Sequence, residues 1–153
     1  MASKKIKRDQ SLSVQHIMVI DILHTANWLE EKLIRILKSF EITHQQFNII
    51  KIVYSANPDP LSVLEIKESI MFKKSDVTRL LDRLVKKGYL ERKTCEQNRR
   101  KVDISISESG KKLVEQIQPE LNKAFNGNYV SNINKGEALA TSEVLRKVRK
   151  NNG

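Results

Sequence analysis

A mainly α-helical chain carrying one two-stranded β hairpin is what this sequence predicts, on three observations. Apolar residues recur at steps of three and four through most of its length, the pattern of helices with one buried face. Strict alternation, the mark of a half-buried strand, is clearest where Val102, Ile104 and Ile106 interleave with Lys101, Asp103 and Ser105. Charge is concentrated in one region. Between Lys73 and Lys101 eleven cations stand against four anions, which is most of the formal +10 of the 153 residues.

The elements follow in order. The opening MASKKIKRDQ is a basic arm without the apolar region and cleavage site of a signal peptide. A long helix is expected from about Leu12 to Phe40, with Ile22, Ala26, Leu29, Leu33, Ile36 and Phe40 on one face. Around Ile17 and Ile20 apolar residues spread round most of its circumference, as in a helix buried on two sides, and a second copy of the chain is the simplest cover. Thr43 with Gln46 matches a capping box, opening a second helix that buries Phe47, Ile50 and Tyr54. Asn57-Pro58-Asp59-Pro60 ends it, since proline has no amide hydrogen and biases its predecessor away from helix.

Ser62 with Glu65 is a second capping box, starting a short helix with Val63, Ile66 and Ile70 inward. Met71 to Lys74 makes a tight connection to a helix from about Ser75 to Lys87, whose core face is Val77, Leu80, Leu81, Leu84 and Val85. Two short helices so joined are a helix-turn-helix. Gly88 is placed to close the second in a left-handed conformation. Strands Tyr89–Cys95 and Arg100–Ser107 then flank a polar tip, forming a wing. Ser107 caps a helix bearing Leu113, Val114, Ile117, Leu121 and Phe125, which Pro119 is placed to kink and Asn126-Gly127-Asn128 to end or interrupt. A last helix spans about Lys135 to Lys150, with Val144, Leu145 and Val148 apolar.

This order suggests one intertwined unit in three parts: an arm and dimerisation helix over residues 1–40, a winged helix-turn-helix over 41–110, and dimerisation helices over 111–153. Leu12, Ile17, Ile20, Val144, Leu145 and Val148 are the expected dimer contacts. A pI near 9.8 with 30% charged residues points to a polyanion. One cysteine excludes an internal disulfide and fits a reducing cytoplasm, and no apolar run approaches the ~20 residues of a membrane span. No nucleophile–base pair or glycine-rich phosphate loop marks an enzyme, so no catalytic residue is assigned. His16, His24 and His44 lack metal-ligand spacing, and no metal or other cofactor is expected. Cys95 stands alone at the end of a strand beside the cationic Arg92 and Lys93, which favour a thiolate and leave an oxidation switch open. Trp28, Phe47 and Tyr54 are candidates for lining a small-molecule pocket, or simply for core.

Four stretches carry a resemblance: Thr43-x-x-Gln46-Phe47, Asp76-Val77-Thr78-Arg79-Leu80-Leu81-Asp82-Arg83-Leu84, Lys87-Gly88-Tyr89-Leu90-x-Arg92, and Asn98-Arg99-Arg100 with Ser107-x-x-Gly110. In register across roughly residues 36–115, they resemble the MarR family of bacterial transcription factors. The resemblance implies a homodimeric, sequence-specific regulator of duplex DNA, a repressor in role, and an effector ligand bound where the winged region meets the dimer helices. One departure concerns the wing. Asn98 stands where the family usually places the acid that braces the wing arginine, so the bracing here lacks a charge.

The first turns of a recognition helix meet base edges in the major groove, which makes Ser75, Asp76, Thr78 and Arg79 the base-reading candidates. Arg79 suits guanine, Thr78 a thymine methyl and Asp76 a cytosine amino group, although Ser75 and Asp76 equally suit helix caps. Arg83 and Lys86 suit phosphates or a pairing with Asp82, and Lys73 and Lys74 suit phosphates. Asn98, Arg99, Arg100 and Lys101 suit the minor groove. Two rival readings stay open: a protein that coats nucleic acid without reading sequence, and a winged helix used for protein–protein contact.

Overall fold

The computed structural model describes residues 12–70, 76–95 and 98–150, with the backbone alone at 95 and 98–101. Its elements are α1 (Val14–Lys38), α2 (His44–Ala56), β1 (Leu61–Ser62), α3 (Val63–Ser69), α4 (Val77–Lys86), β2 (Leu90–Cys95), β3 (Asn98–Ile106), α5 (Glu108–Asn122), a π-helical segment (Lys123–Tyr129) and α6 (Lys135–Lys150).

Both capping boxes form. The Thr43 hydroxyl accepts from the Gln46 amide at 3.2 Å while the Thr43 amide donates to Gln46 Oε1 at 3.1 Å. Ser62 and Glu65 make the same reciprocal pair at the start of α3. Thr43→Ala is expected to lower the unfolding free energy by about 1 kcal/mol, read as a shift in the urea midpoint. Asn134 and Glu137 form a third reciprocal pair ahead of α6, at a spacing visible in the sequence but not singled out there.

One core joins the end of α1, helices α2 to α5 and the sheet. α2 contributes Phe47, Ile49, Ile50 and Val53, α3 Ile66, α4 Val77, Leu80, Leu81 and Leu84, the strands Leu90, Ile104 and Ile106, and α5 Leu113, Val114 and Ile117. The alternation in β3 behaves as expected, with Ile104 and Ile106 buried and Val102 half-buried. The long first helix behaves differently. Leu37, one turn after Leu33 at the flank of the expected face but not named for it, is its one buried residue among those described, while Leu33, Ile36 and Phe40 are partly buried against the core. Further back, Ile22, Ala26 and Leu29 face a groove shared with Thr141 and Leu145 of α6.

Three features go beyond what local pattern suggested. The sheet has three strands in the order β1-β3-β2, because Leu61 and Ser62 pair antiparallel with Ile104 and Asp103. A two-residue strand carries no periodicity of its own and exists only through its neighbour. α5 gives way at Lys123 to the π-helical segment, which runs through Asn126-Gly127-Asn128 and ends at Tyr129, so the interruption expected there takes the form of a wider helix. Phe47, Trp28 and Tyr54, read as pocket lining or simply core, divide between the core and the helix surface. Phe47 lies in the core, while Trp28 packs edge-to-face on Tyr129 with centroids 5.4 Å apart. The connection expected at Met71 to Lys74 lies outside the described residues.

The candidate nucleic-acid interface

α4 is divided sharply by its sequence. Val77, Leu80, Leu81 and Leu84 are buried, and Thr78, Arg79, Asp82, Arg83 and Lys86 are exposed on the opposite side. Burial of the apolar stripe presses the helix onto the core and leaves its cationic face outward. At its start Asp76 occupies the N-cap position, yet its carboxylate makes no capping hydrogen bond. It accepts instead from Arg79 Nη2 at 3.3 Å, so the simple capping role is not the one observed. Ser75, Lys73 and Lys74 lie outside the described residues.

The far end of α4 is closed by a Schellman motif. Gly88 has φ +77°, its amide donates to the Val85 carbonyl at 2.9 Å, and the Tyr89 amide donates to the Leu84 carbonyl at 3.0 Å. The same corner receives α5. Ser107 Oγ donates to the Gly88 carbonyl at 2.6 Å and accepts from the Gly110 amide at 3.0 Å. Gly110 is buried there, where a Cβ would collide with the Tyr89 carbonyl oxygen. Thus Lys87-Gly88-Tyr89 and Ser107-x-x-Gly110, distant in sequence, build one joint between α4, the wing and α5.

Two contacts that sequence reading missed set the pose of this helix. Asp82 Oδ1 pairs with Arg92 Nη2 of β2 at 2.9 Å, tying the wing's first strand to α4. Asp82 is thereby engaged across elements, and the alternative of pairing along the helix with Arg83 or Lys86 is not realised; neither has an ion pair among the described residues. Lys87 Nζ donates to the Glu41 carbonyl at 2.7 Å, where Glu41 turns the chain between α1 and α2 with φ +53°. The Lys-Gly-Tyr-Leu-x-Arg spacing flagged both cations, but no local pattern names their partners.

In the wing, β2 and β3 pair from Leu90↔Ile106 to Thr94↔Val102, then shift register to Cys95↔Asn98. Arg99, Arg100 and Lys101 fall within that shift, on the longer strand at the hairpin end. Their side chains, and that of Asn98, lie outside the described residues. Among those described, no three His, Cys, Asp or Glu side chains gather as for a metal ion, and no helix is long and apolar enough to cross a membrane.

A short three-stranded sheet, a helix-turn-helix pair and an outward cationic helix define the winged helix-turn-helix class. The comparisons narrow it. The model of the MarR family matches residues 42–102. An uncharacterised HTH-type transcriptional regulator of Bacillus cereus (strain ZK / E33L) is 30% identical over 115 residues, 74% of each chain. A mutant of MarR from E. coli, solved in complex with operator DNA, superposes with a TM-score of 0.75 at 25% identity, covering 86% of this chain and 94% of that one. The organohalide-sensing regulator RdhR, in its 2,4-dichlorophenol-bound form, shares the fold at a TM-score of 0.83 and 18% identity, over 99% of this chain and 90% of that one. The chain belongs to the MarR family. It is a DNA-binding transcriptional regulator and not an enzyme.

Proposed function

We propose that the protein is a homodimeric, sequence-specific repressor that lays α4 in the major groove and its wing in the adjacent minor groove. The observation that carries this is the division of α4: a wholly apolar face on the core and Thr78, Arg79, Arg83 and Lys86 facing out. Arg79 and Thr78 read base edges, while Arg83 and Lys86, free of ion pairs among the described residues, take phosphates. Lys73 and Lys74, just before the helix in sequence, are assigned to phosphates and Ser75 to base reading, and Asn98, Arg99, Arg100 and Lys101 are assigned to the minor groove.

The flanking helices, within residues 1–40 and 111–153, supply the dimer. α6 has no buried residue, and Leu139, Val144 and Val148 are exposed on it, as Val14, Val19 and Leu23 are on α1. Apolar faces of that extent are what a second copy covers. A twofold dimer then presents two α4 helices about 34–36 Å apart, one helical turn of duplex.

Regulation follows from the α1–α2 corner. A pocket of about 400 Å³ is lined there by Glu30, Ile34, Lys38, Ile42 and His44 among others. It adjoins Glu41, whose carbonyl holds Lys87 at the end of α4. A small-molecule effector in this corner shifts α4 relative to α1, and so changes the separation of the two α4 helices that must match the half-sites. The RdhR structure with 2,4-dichlorophenol supports the idea that this fold takes a small ligand. The cytoplasm is the compartment such a regulator works in.

The test is selection of duplexes from a random-sequence library at physiological salt. An inverted repeat enriched by the wild type, and lost with Arg79→Ala, is the expected result. Retention without a common motif would mean a coating protein, and no retention a protein-contact module.

A further inference from the structure

α4 carries its outward charges in two different states. Arg79 is held: its Nη2 donates to Asp76 Oδ1 one turn earlier, with both side chains at least half exposed. Arg83 and Lys86, on the following turn, are not held by any acid among the described residues. The second carboxylate on this face, Asp82, is committed to Arg92 of the wing. Asp76 is therefore the acid that accompanies the base-reading end of the helix. It does so without serving as a cap, since its side chain makes no capping hydrogen bond.

A bare carboxylate at this position works against DNA binding, because it faces phosphates of the same sign. The pairing with Arg79 gives it a use. Guanidinium offers five N–H donors in a rigid fork, so one can stay on Asp76 while others reach a guanine O6 and N7. A phosphate taking the place of the guanine would sit beside the Asp76 carboxylate and be repelled. A base edge carries no net charge and escapes that penalty. The pair thus penalises the sequence-blind contact more than the sequence-reading one.

We propose that Asp76 is a specificity-determining positioning residue, which keeps Arg79 on base edges and off phosphates and does not itself read a base. This rests on the DNA-reading function proposed above. Removing the carboxylate should free Arg79 to meet any phosphate. Asp76→Ala then binds random duplex more tightly than the wild type does, and its preference for the selected site over random duplex falls about tenfold.

The experiment measures the affinity of each variant for two probes at one salt concentration. One is the duplex that the wild type selects from a random library, the other a random-sequence duplex of equal length. Wild type, Asp76→Ala, Arg79→Ala and the double variant complete a cycle, with thermal unfolding as a control for folding. The expected outcome is a lower ratio for Asp76→Ala, higher affinity for random duplex, and no effect of Asp76→Ala once Arg79 is gone. An unchanged ratio in Asp76→Ala overturns the proposal. So does a loss that persists in the Arg79→Ala background, which would mean that Asp76 contacts a base directly. A wild type that selects no site at all removes the underlying DNA-reading function as well, and that result appears before any variant is compared.

Discussion

Gly110→Ala is expected to destabilise the protein by about 1–3 kcal/mol, the range for forcing atoms into a packed interior, and to loosen the wing before the rest of the fold. The added Cβ would meet the Tyr89 carbonyl oxygen and lie 2.9 Å from Ile106 Cγ1. The first of these is backbone and cannot move aside as a flexible side chain would. Relief requires α5 to withdraw from the corner, which pulls Ser107 from the Gly88 carbonyl and disturbs the end of α4. Urea unfolding gives the global cost, and hydrogen exchange at Tyr89 and Ser107 reports the local one, because the Ser107 amide donates to the Tyr89 carbonyl at 3.2 Å. A variant as stable as the wild type, with unchanged exchange there, would mean that α5 does not approach the wing this closely.

The double change Val144→Asp with Val148→Asp is expected to convert the proposed dimer into a folded monomer and to weaken binding to the selected inverted repeat by about 10²-fold or more, the gain that joining two binding modules provides. Val144 and Val148 are 44% and 37% exposed in the single chain, so charging them costs the subunit's own core little. In a dimer the same positions would bring four carboxylates into an apolar interface, where unpaired charges are strongly disfavoured. Sedimentation gives the oligomeric state, circular dichroism the helical content, and gel shift the affinity. A variant that remains dimeric would place the interface away from this face of α6.

Much of the architecture was legible from local pattern. The apolar stripe of α4, the capping boxes at Thr43 and Ser62, the left-handed Gly88 and the alternation through Ile104 are each set by residues a few positions apart. Such features depend on neighbours a few positions away, so the local pattern is enough to suggest them. The candidate site was legible to the same depth. The outward cations of α4 follow from knowing which face is apolar, but their partners do not. Nothing at Asp82 announces that its arginine is Arg92 and not the adjacent Arg83. Spacing alone leaves Asp76 open between cap and base reader, and its hydrogen bond from Arg79 appears only in the folded helix.

The sequence by itself determined where the helices and the hairpin lie, which face of each is apolar, and where positive charge accumulates. The tertiary structure alone decided that Leu61 and Ser62 join the sheet, that Leu37 is the part of α1 in the core, and that α5 continues as a wide helical segment through Gly127. It also decided that Lys87 reaches the Glu41 carbonyl and that Gly110 meets Tyr89. The physical reason is one of range. Periodicity and capping act between residues within one or two turns, whereas strand pairing, close backbone approach and cross-element ion pairs depend on where the folded chain returns.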